Sequence, residues 1–372
     1  MRIAMVSPYD LSVPGGVQGQ VSGLSEALRD LGHEVVVVAP GKGAVGDGGR
    51  TVLVGRAVGL RANGSVAPVS ISPGAAARAA RVVRRPGIDV VHLHEPLAPV
   101  LNYGCLLAAR QPIVGTFHRN GSSVLYRVLG PLARWAVGRL AVRCAVSESA
   151  RDNAASSLGG DYEVLFNGID VERFATDAPT PTTAPTVLFV GRHEPRKGLA
   201  VLLEAFESLR RPAVLWVAGE GPATAELRRR HPASARLQWL GAISEDQKVA
   251  RMAGADVFCA PSLGGESFGM VLLEAMAAGC ALVASDIDGY RAASGGHALL
   301  VAPGDSAALA SGLDRALSDA AAGRGLASTE ALAAARRHAE LWSMSKLAGR
   351  YVEIYERVLA GPRGDGPTGG RG

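Results

Sequence analysis

Unbroken runs of β-branched residues are the feature that most restricts how this chain can fold. VVVVA at 35–39 and DVVHLH at 89–94 show no alternation of apolar and polar residues. Such strands need cover on both faces, as parallel strands have when helices pack on each side of the sheet. Further strands are expected at 2–7, 51–54, 112–117, 140–146 and 162–165, with helices between them, notably at 18–31, 74–85 and 122–137. That order reads as a doubly wound α/β domain. FATDAPTPTTAP, ending at Pro185, interrupts it with three prolines and no apolar period. A second alternation comes after it, with strands expected at 186–191, 213–219, 237–240, 256–260, 281–284 and 298–301. The expected organisation is therefore a first domain over 1–174, a linker over 175–185 and a second domain over 186–342. A helix over 343–360 and a disordered tail over 361–372 complete it. Two such domains facing each other leave a central cleft at the carboxyl ends of their strands, where open α/β sheets bind ligands.

Composition agrees with an enzyme of this size. The 372 residues exceed one ordinary core, and 48% hydrophobic with 20% charged residues excludes a disordered chain. No charge-free apolar run approaches the ~20 residues of a spanning helix, and the start has no signal-peptide layout, so a cytoplasmic protein is expected. Cys105, Cys144, Cys259 and Cys280 lack the spacing of a zinc site and read as buried thiols. The net charge of +5 is unevenly placed: from Arg50 to Arg143 there are 13 Arg against Asp89 and Glu95, a local +11. A basic face of that size suits phosphates. Only Lys42, Lys197, Lys248 and Lys346 are lysines among 39 basic residues, so a lysine inside a motif draws notice.

Three loops carry the candidate chemistry. Gly15-Gly16, between the first strand and its helix, would let backbone N–H groups approach a phosphate, though it reads equally as a tight turn. It is not Gly-x-Gly-x-x-Gly, and no acidic ribose ligand comes after the second strand, so a dinucleotide fold is poorly supported. GRHEPRKG at 191–198 opens a helix and directs Arg192 and Lys197 to where a diphosphate would be held. In GGESFGMVLLEAMAAG at 264–279, Ser267 can cap the helix and Glu274 sits two turns into an apolar stretch. A carboxylate there needs strong partners, which ribose or sugar hydroxyls would supply.

With these residues the chain resembles two-domain, GT-B fold, retaining glycosyltransferases of the family 4 type with the Glu-x7-Glu signature. The resemblance runs nearly the whole length, to a terminal helix that in this fold crosses back to the first domain. VPGGVQ, ANGSVA, HLHEP, TFH, NGID and APSLGGESFG are most similar to the actinobacterial phosphatidylinositol α-mannosyltransferases, which use GDP-mannose. The resemblance implies a hexosyltransferase, cytoplasmic and peripheral at the inner face of the plasma membrane. It would move mannose from GDP-mannose to the inositol ring of phosphatidylinositol and require no cofactor or metal. Gly16, Arg192 and Lys197 would hold the donor diphosphate and Glu274 the ribose. His118 and Glu266 would bracket the transferred sugar as catalytic residues, and Tyr9, Gln18, Asn63 and Ser65 would face the inositol phosphate. Two positions depart from the pattern: Pro68 and Ser123 stand where relatives carry Arg and Lys. Arg119, beside His118, would replace the lost charge at the acceptor phosphate, with Arg61 a weaker substitute.

Arg78, Arg81, Arg84 and Arg85 share one face of the expected helix at 74–85, as on an interfacial helix drawn to anionic lipid, with an ordinary solvated face as the alternative. The stretch 124–142, with its Leu, Tyr and Trp residues, could cradle acyl chains or simply be core. Asp286-Ile287-Asp288 mimics a metal-binding Asp-x-Asp, and His92, His94 and Glu95 suggest zinc only superficially; they are expected to cap the cleft floor. Other readings remain: a UDP-sugar donor, a soluble inositol phosphate or other lipid as acceptor, a sugar-nucleotide epimerase. Nucleic acid is not expected as a partner, because exposed aromatics for stacking are not interleaved with the basic residues.

Overall fold

A computed structural model describes residues 1–13, 15–41, 49–62, 65–118, 130–176, 178–266 and 268–361; the side chains of 60–62 and 65–67 are not described. The chain forms two compact units, one of residues 1–166 with 344–372, the other of residues 167–343.

The first unit is built on a seven-stranded sheet in the order β3-β2-β1-β6-β7-β8-β9. Its strands are β1 (Arg2–Val6), β2 (Glu34–Ala39), β3 (Thr51–Leu53), β6 (Val90–His94), β7 (Ile113–Phe117), β8 (Val142–Ala145) and β9 (Glu163–Val164). Every pairing is parallel, and β1, β6 and β7 are almost wholly buried, as two-sided cover requires. Helices α1 (Gly16–Asp30), α2 (Pro73–Val83) and α3 (Leu101–Ala108) connect the strands. The expected strands do not include an antiparallel hairpin of β4 (Val58–Ala62) and β5 (Ser65–Val69). Its two strands are joined by Asn63-Gly64, a dipeptide that is itself a hairpin signal. Through it Pro68 gains a role, since its carbonyl accepts the backbone N–H of Asp10.

The terminal helix Met344–Ala360 belongs to the first unit. It buries Met344, Leu347, Tyr351, Ile354 and Tyr355 against Leu24 and Leu28 of α1 and Ile3 and Met5 of β1. Trp342, just ahead of this helix, packs edge-on against Phe268 in the second unit.

The second unit holds a six-stranded parallel sheet, β12-β11-β10-β13-β14-β15. Its strands are β10 (Thr186–Val190), β11 (Val214–Ala218), β12 (Leu237–Gly241), β13 (Val257–Ala260), β14 (Ala281–Ser285) and β15 (Leu299–Val301). The order reverses between β10 and β13, as it does between β1 and β6, and these are the switch points at which α/β sheets hold ligands. The division of the chain falls earlier than the prolines suggest. Ile169, Val171 and Phe174 are buried, and the turn Glu172–Phe174 packs on the helices Glu245–Gly254 and Met270–Ala277 of the second unit. The linker stretch is docked as well, with the Thr180 N–H bound to the carbonyl of Ala250.

Because Ile354 is buried on the terminal helix, Ile354→Ala is expected to cost about 2–5 kcal/mol in urea unfolding. Leu359→Ala, on the exposed side, is expected to change stability by less than about 0.5 kcal/mol.

Candidate functional site

In the second unit the loop after β10 runs Gly191 to Gly198 and enters the helix Leu199–Glu207. Gly198 must be glycine: its φ is +68° and an added Cβ would lie 1.9 Å from the carbonyl oxygen of Pro261. That close approach, with the Leu263 N–H bound to the carbonyl of Arg196, lays this loop against the loop after β13. The side chains then converge. Lys197 Nζ is 2.7 Å from Glu266 Oε1 and Arg196 is 3.0 Å from the same oxygen. Glu194 holds Arg196 at 3.0 Å and Arg192 at 3.2 Å. Ser262 donates to Glu266 and meets the hydroxyl of Tyr290 at 2.8 Å. Three cations are thus held on two largely buried carboxylates beside a helix N-terminus, an arrangement ready to receive an anion.

The helix Met270–Ala277 begins after Gly269, so Glu274 lies one turn from its start rather than two, and Gly269 is the capping residue. Ser267, the expected cap, lies outside the described residues. Glu274 is paired with Lys248 at 3.2 Å, and Lys248 also reaches Glu245 at 2.8 Å and lies 5.4 Å from the ring centre of Phe174. Burial pushes the Glu274 carboxyl up, partly countered by Lys248. Burial also opposes the charge of Lys248, but Glu274 and Glu245 outweigh it and raise its pKa.

In the first unit the strand ends bring three histidines together. The register pairs His92 with Val114 and His94 with Thr116, which sets His118 one step beyond the end of β7. His92 is fully buried, with Nδ1 2.7 Å from the Tyr355 hydroxyl and Nε2 2.8 Å from Thr116 Oγ1, which itself meets the Tyr351 hydroxyl at 2.8 Å. His94 stacks on His92 at 4.4 Å, and its Nδ1 is 2.9 Å from His118 Nε2. The Glu95 carboxylate accepts the backbone N–H of His118 at 2.7 Å. Burial pushes His92 and His118 down to about 3 and His94 well below its usual range, so all three are neutral at pH 7.

The remaining expected residues divide. Gly16 is exposed and is the first residue of α1, whose N-terminus is open. Gln18 is buried on the same turn. Tyr9 is bridged to Val69, and its backbone N–H is bound by Ser7 Oγ. Asn63, Arg119 and Ser123 lie outside the described residues, as do the side chains of Arg61 and Ser65. Arg78, Arg81, Arg84 and Arg85 are all exposed, but α2 stops at Val83, and Val82 and Val83 are buried in the core. The apolar face of this helix is therefore not free to enter lipid. Of the expected acyl-binding stretch, residues 130–142 are described, beginning with the helix Gly130–Gly138, on which Leu132 and Trp135 are exposed. Asp286 and Asp288 are both paired with Arg291, at 2.5 and 2.6 Å. No helix among the described residues is long and apolar enough to cross a membrane. Arg196, Glu194, Lys248 and the support of His118 by His94 and Glu95 are not assigned by the sequence. The scarcity of lysine is the available signal for Lys248.

Each unit gathers its loop cluster at the carboxyl edge of a Rossmann-like parallel sheet, where such sheets bind ligands, and comparison with known proteins supplies the class. Residues 14–173 match glycosyltransferase family 4 and residues 184–319 match glycosyl transferases group 1. A phosphatidyl-myo-inositol mannosyltransferase of Mycolicibacterium smegmatis is 41% identical over 96% of this chain and 94% of its own length. That of Mycobacterium leprae is 39% identical over 96% and 97%. A glycogen synthase of Mycobacterium tuberculosis is 30% identical over 98% and 96%. A glycosyltransferase from Rickettsia africae superposes with a TM-score of 0.74 at 20% identity, covering 97% of this chain and 99% of that one. The chain belongs to glycosyltransferase family 4 and, within it, to the group of the phosphatidyl-myo-inositol mannosyltransferases. It is a hexosyltransferase with the GT-B fold.

The Lys248–Glu274 pair makes a testable demand on stability. Lys248→Met leaves Glu274 buried without its cation, at an expected cost of about 3–5 kcal/mol at pH 8. A carboxyl whose folded pKa is raised binds a proton more readily in the folded state, so stability falls as pH rises. The deficit relative to the parent is therefore expected to shrink between pH 8 and pH 5 in urea unfolding; a deficit that grows as pH falls would contradict the pairing.

Proposed function

We propose that the protein transfers mannose from GDP-mannose to the inositol ring of phosphatidylinositol with retention of anomeric configuration. The observation that carries this reading is the cluster of Arg192, Arg196 and Lys197 on Glu194 and Glu266 at the carboxyl ends of β10 and β13. A diphosphate leaving group needs fixed positive charge where its own charge builds, and these cations supply it without reorganisation. The names of the relatives at 39–41% identity support the acceptor and the mannosyl group. The similarity to a glycogen synthase marks the limit of what family membership alone says about the acceptor.

In this reading Arg192, Lys197 and the N-terminus of α1 at Gly16 hold the diphosphate, and Glu274 accepts from the ribose hydroxyls. The bond from the anomeric carbon to the phosphate oxygen breaks as an inositol hydroxyl attacks the same face. The hydroxyl proton passes to the departing phosphate, giving the mannoside and GDP. His118 and Glu266 bracket the sugar as positive charge spreads over its ring. Tyr9, Gln18, Asn63, Ser65 and Arg119 face the inositol phosphate. No cofactor beyond the nucleotide sugar is required.

The enzyme would work at the inner face of the plasma membrane, drawn to anionic lipid by Arg78, Arg81, Arg84 and Arg85. With Val82 and Val83 committed to the core, this attraction is electrostatic, about 1 kcal/mol for each arginine. Flotation with phosphatidylinositol-containing vesicles is expected to weaken as salt rises and on replacing the four arginines with serine.

Radiolabelled GDP-mannose and UDP-sugars, crossed against phosphatidylinositol vesicles and soluble inositol phosphate, test the activity. Label is expected in the lipid from GDP-mannose, and Lys197→Ala is expected to lower kcat/KM by about 10²–10³. Label from a UDP-sugar alone, or only in the soluble acceptor, would overturn the assignment.

A further inference from the structure

The structure assigns His94 the task of setting the tautomer of His118, so that His118 meets its ligand as an N–H donor at Nδ1. The inference rests on the reading above only in taking the ligand to be a sugar oxygen.

His94 Nδ1 and His118 Nε2 are 2.9 Å apart. Both rings are neutral, so one nitrogen donates and the other accepts. The other nitrogen of His94 decides which. His94 is 1% exposed, and its Nε2 is buried with no hydrogen-bond partner among the described residues. If His94 accepted at Nδ1, its single proton would sit on Nε2 as a buried, orphaned N–H. If it donates at Nδ1, only a lone pair is left unmatched at Nε2, and orphaned donors are the rarer and costlier of the two. His94 therefore donates. His118 Nε2 then accepts, and the one proton of His118 lies on Nδ1.

The surroundings hold this arrangement. His94 is stacked between His92, at 4.4 Å, and His118, at 5.1 Å. His92 cannot turn without losing both Tyr355 and Thr116. The Asn102 amide donates to the carbonyls of His94 and Glu95 at 2.9 and 2.8 Å. That clamp keeps Glu95 at a φ of +50°, a conformation seldom adopted by residues other than glycine. The carboxylate of Glu95 in turn fixes the backbone N–H of His118. His94 is thus a positioning residue acting through His118. It makes His118 a neutral hydrogen-bond donor, suited to a sugar hydroxyl or ring-side oxygen, rather than a base.

Two-bond 15N–1H correlation spectra of the full chain read the tautomer directly, with His118 assigned by the signals lost in His118→Gln. The proton is expected on Nδ1 at pH 7; a proton on Nε2 in the parent protein overturns the inference. His94→Asn places an amide N–H where Nδ1 was, and His94→Leu places none. In His94→Leu, His118 is expected to shift to the Nε2–H form and kcat to fall about tenfold, with donor KM changed little. His94→Asn is expected to restore both the Nδ1–H form and most of kcat. Parental kcat in His94→Leu with the tautomer changed would remove the positioning role. The spectra need no substrate, so an Nδ1–H tautomer in a protein that transfers no mannose would uphold the tautomer and refute the function instead.

Discussion

The parallel pairing of β1 with β6, and of β10 with β13, governs everything else in this molecule. Parallel strands point all their carboxyl ends one way, so the loops after them gather at one edge of each sheet. Where the strand order reverses, the loops diverge and leave room between them. In the first unit that edge collects Ser7, His94 and His118; in the second it collects the loop 191–198 and the loop 261–266. None of these residues is adjacent in sequence to its partners across the sheet, and a one-residue slip in β6 or β7 would turn His94 away from His118.

The two units handle polar groups at that edge in opposite ways. In the second, buried carboxylates are kept beside cations, and the cost of taking charge out of water is offset by pairing: Glu266 with Lys197 and Arg196, Glu274 with Lys248. In the first, burial leaves three imidazoles neutral: His92 is linked to hydroxyls of the terminal helix, and His94 is bonded to His118. Charged groups suit a site that must answer a diphosphate, and neutral imidazoles suit one that must orient sugar hydroxyls.

Much of this is legible in the sequence. The β-branched runs locate strands of both sheets because a buried parallel strand has no other way to satisfy its cover. The hairpin β4–β5 is hidden because its strands, VGLRA and SVAPV, are weakly β-branched and one contains a proline. The proline-rich stretch announces a linker, yet Ile169, Val171 and Phe174 ahead of it fold onto the second unit. For short segments, apolar burial outweighs the punctuation that proline supplies. Contacts set by register, such as His94 with His118, or by helix packing, such as Lys248 with Glu274, leave no local mark in the sequence.

Lysine scarcity is the exception, and its meaning differs from a statistical curiosity. Among the described lysines, two are mostly buried, and each sits on one glutamate of the Glu-x7-Glu pair: Lys197 on Glu266, Lys248 on Glu274. An ammonium is compact and can share itself between carboxylates in a tight space, as Lys248 does between Glu245 and Glu274. A guanidinium is a planar fork with its donors in fixed directions. Arg192 and Arg196, by contrast, are about half exposed. In a chain that writes arginine almost everywhere, the two lysines are the more buried cations of the site and Arg192 and Arg196 its open ones.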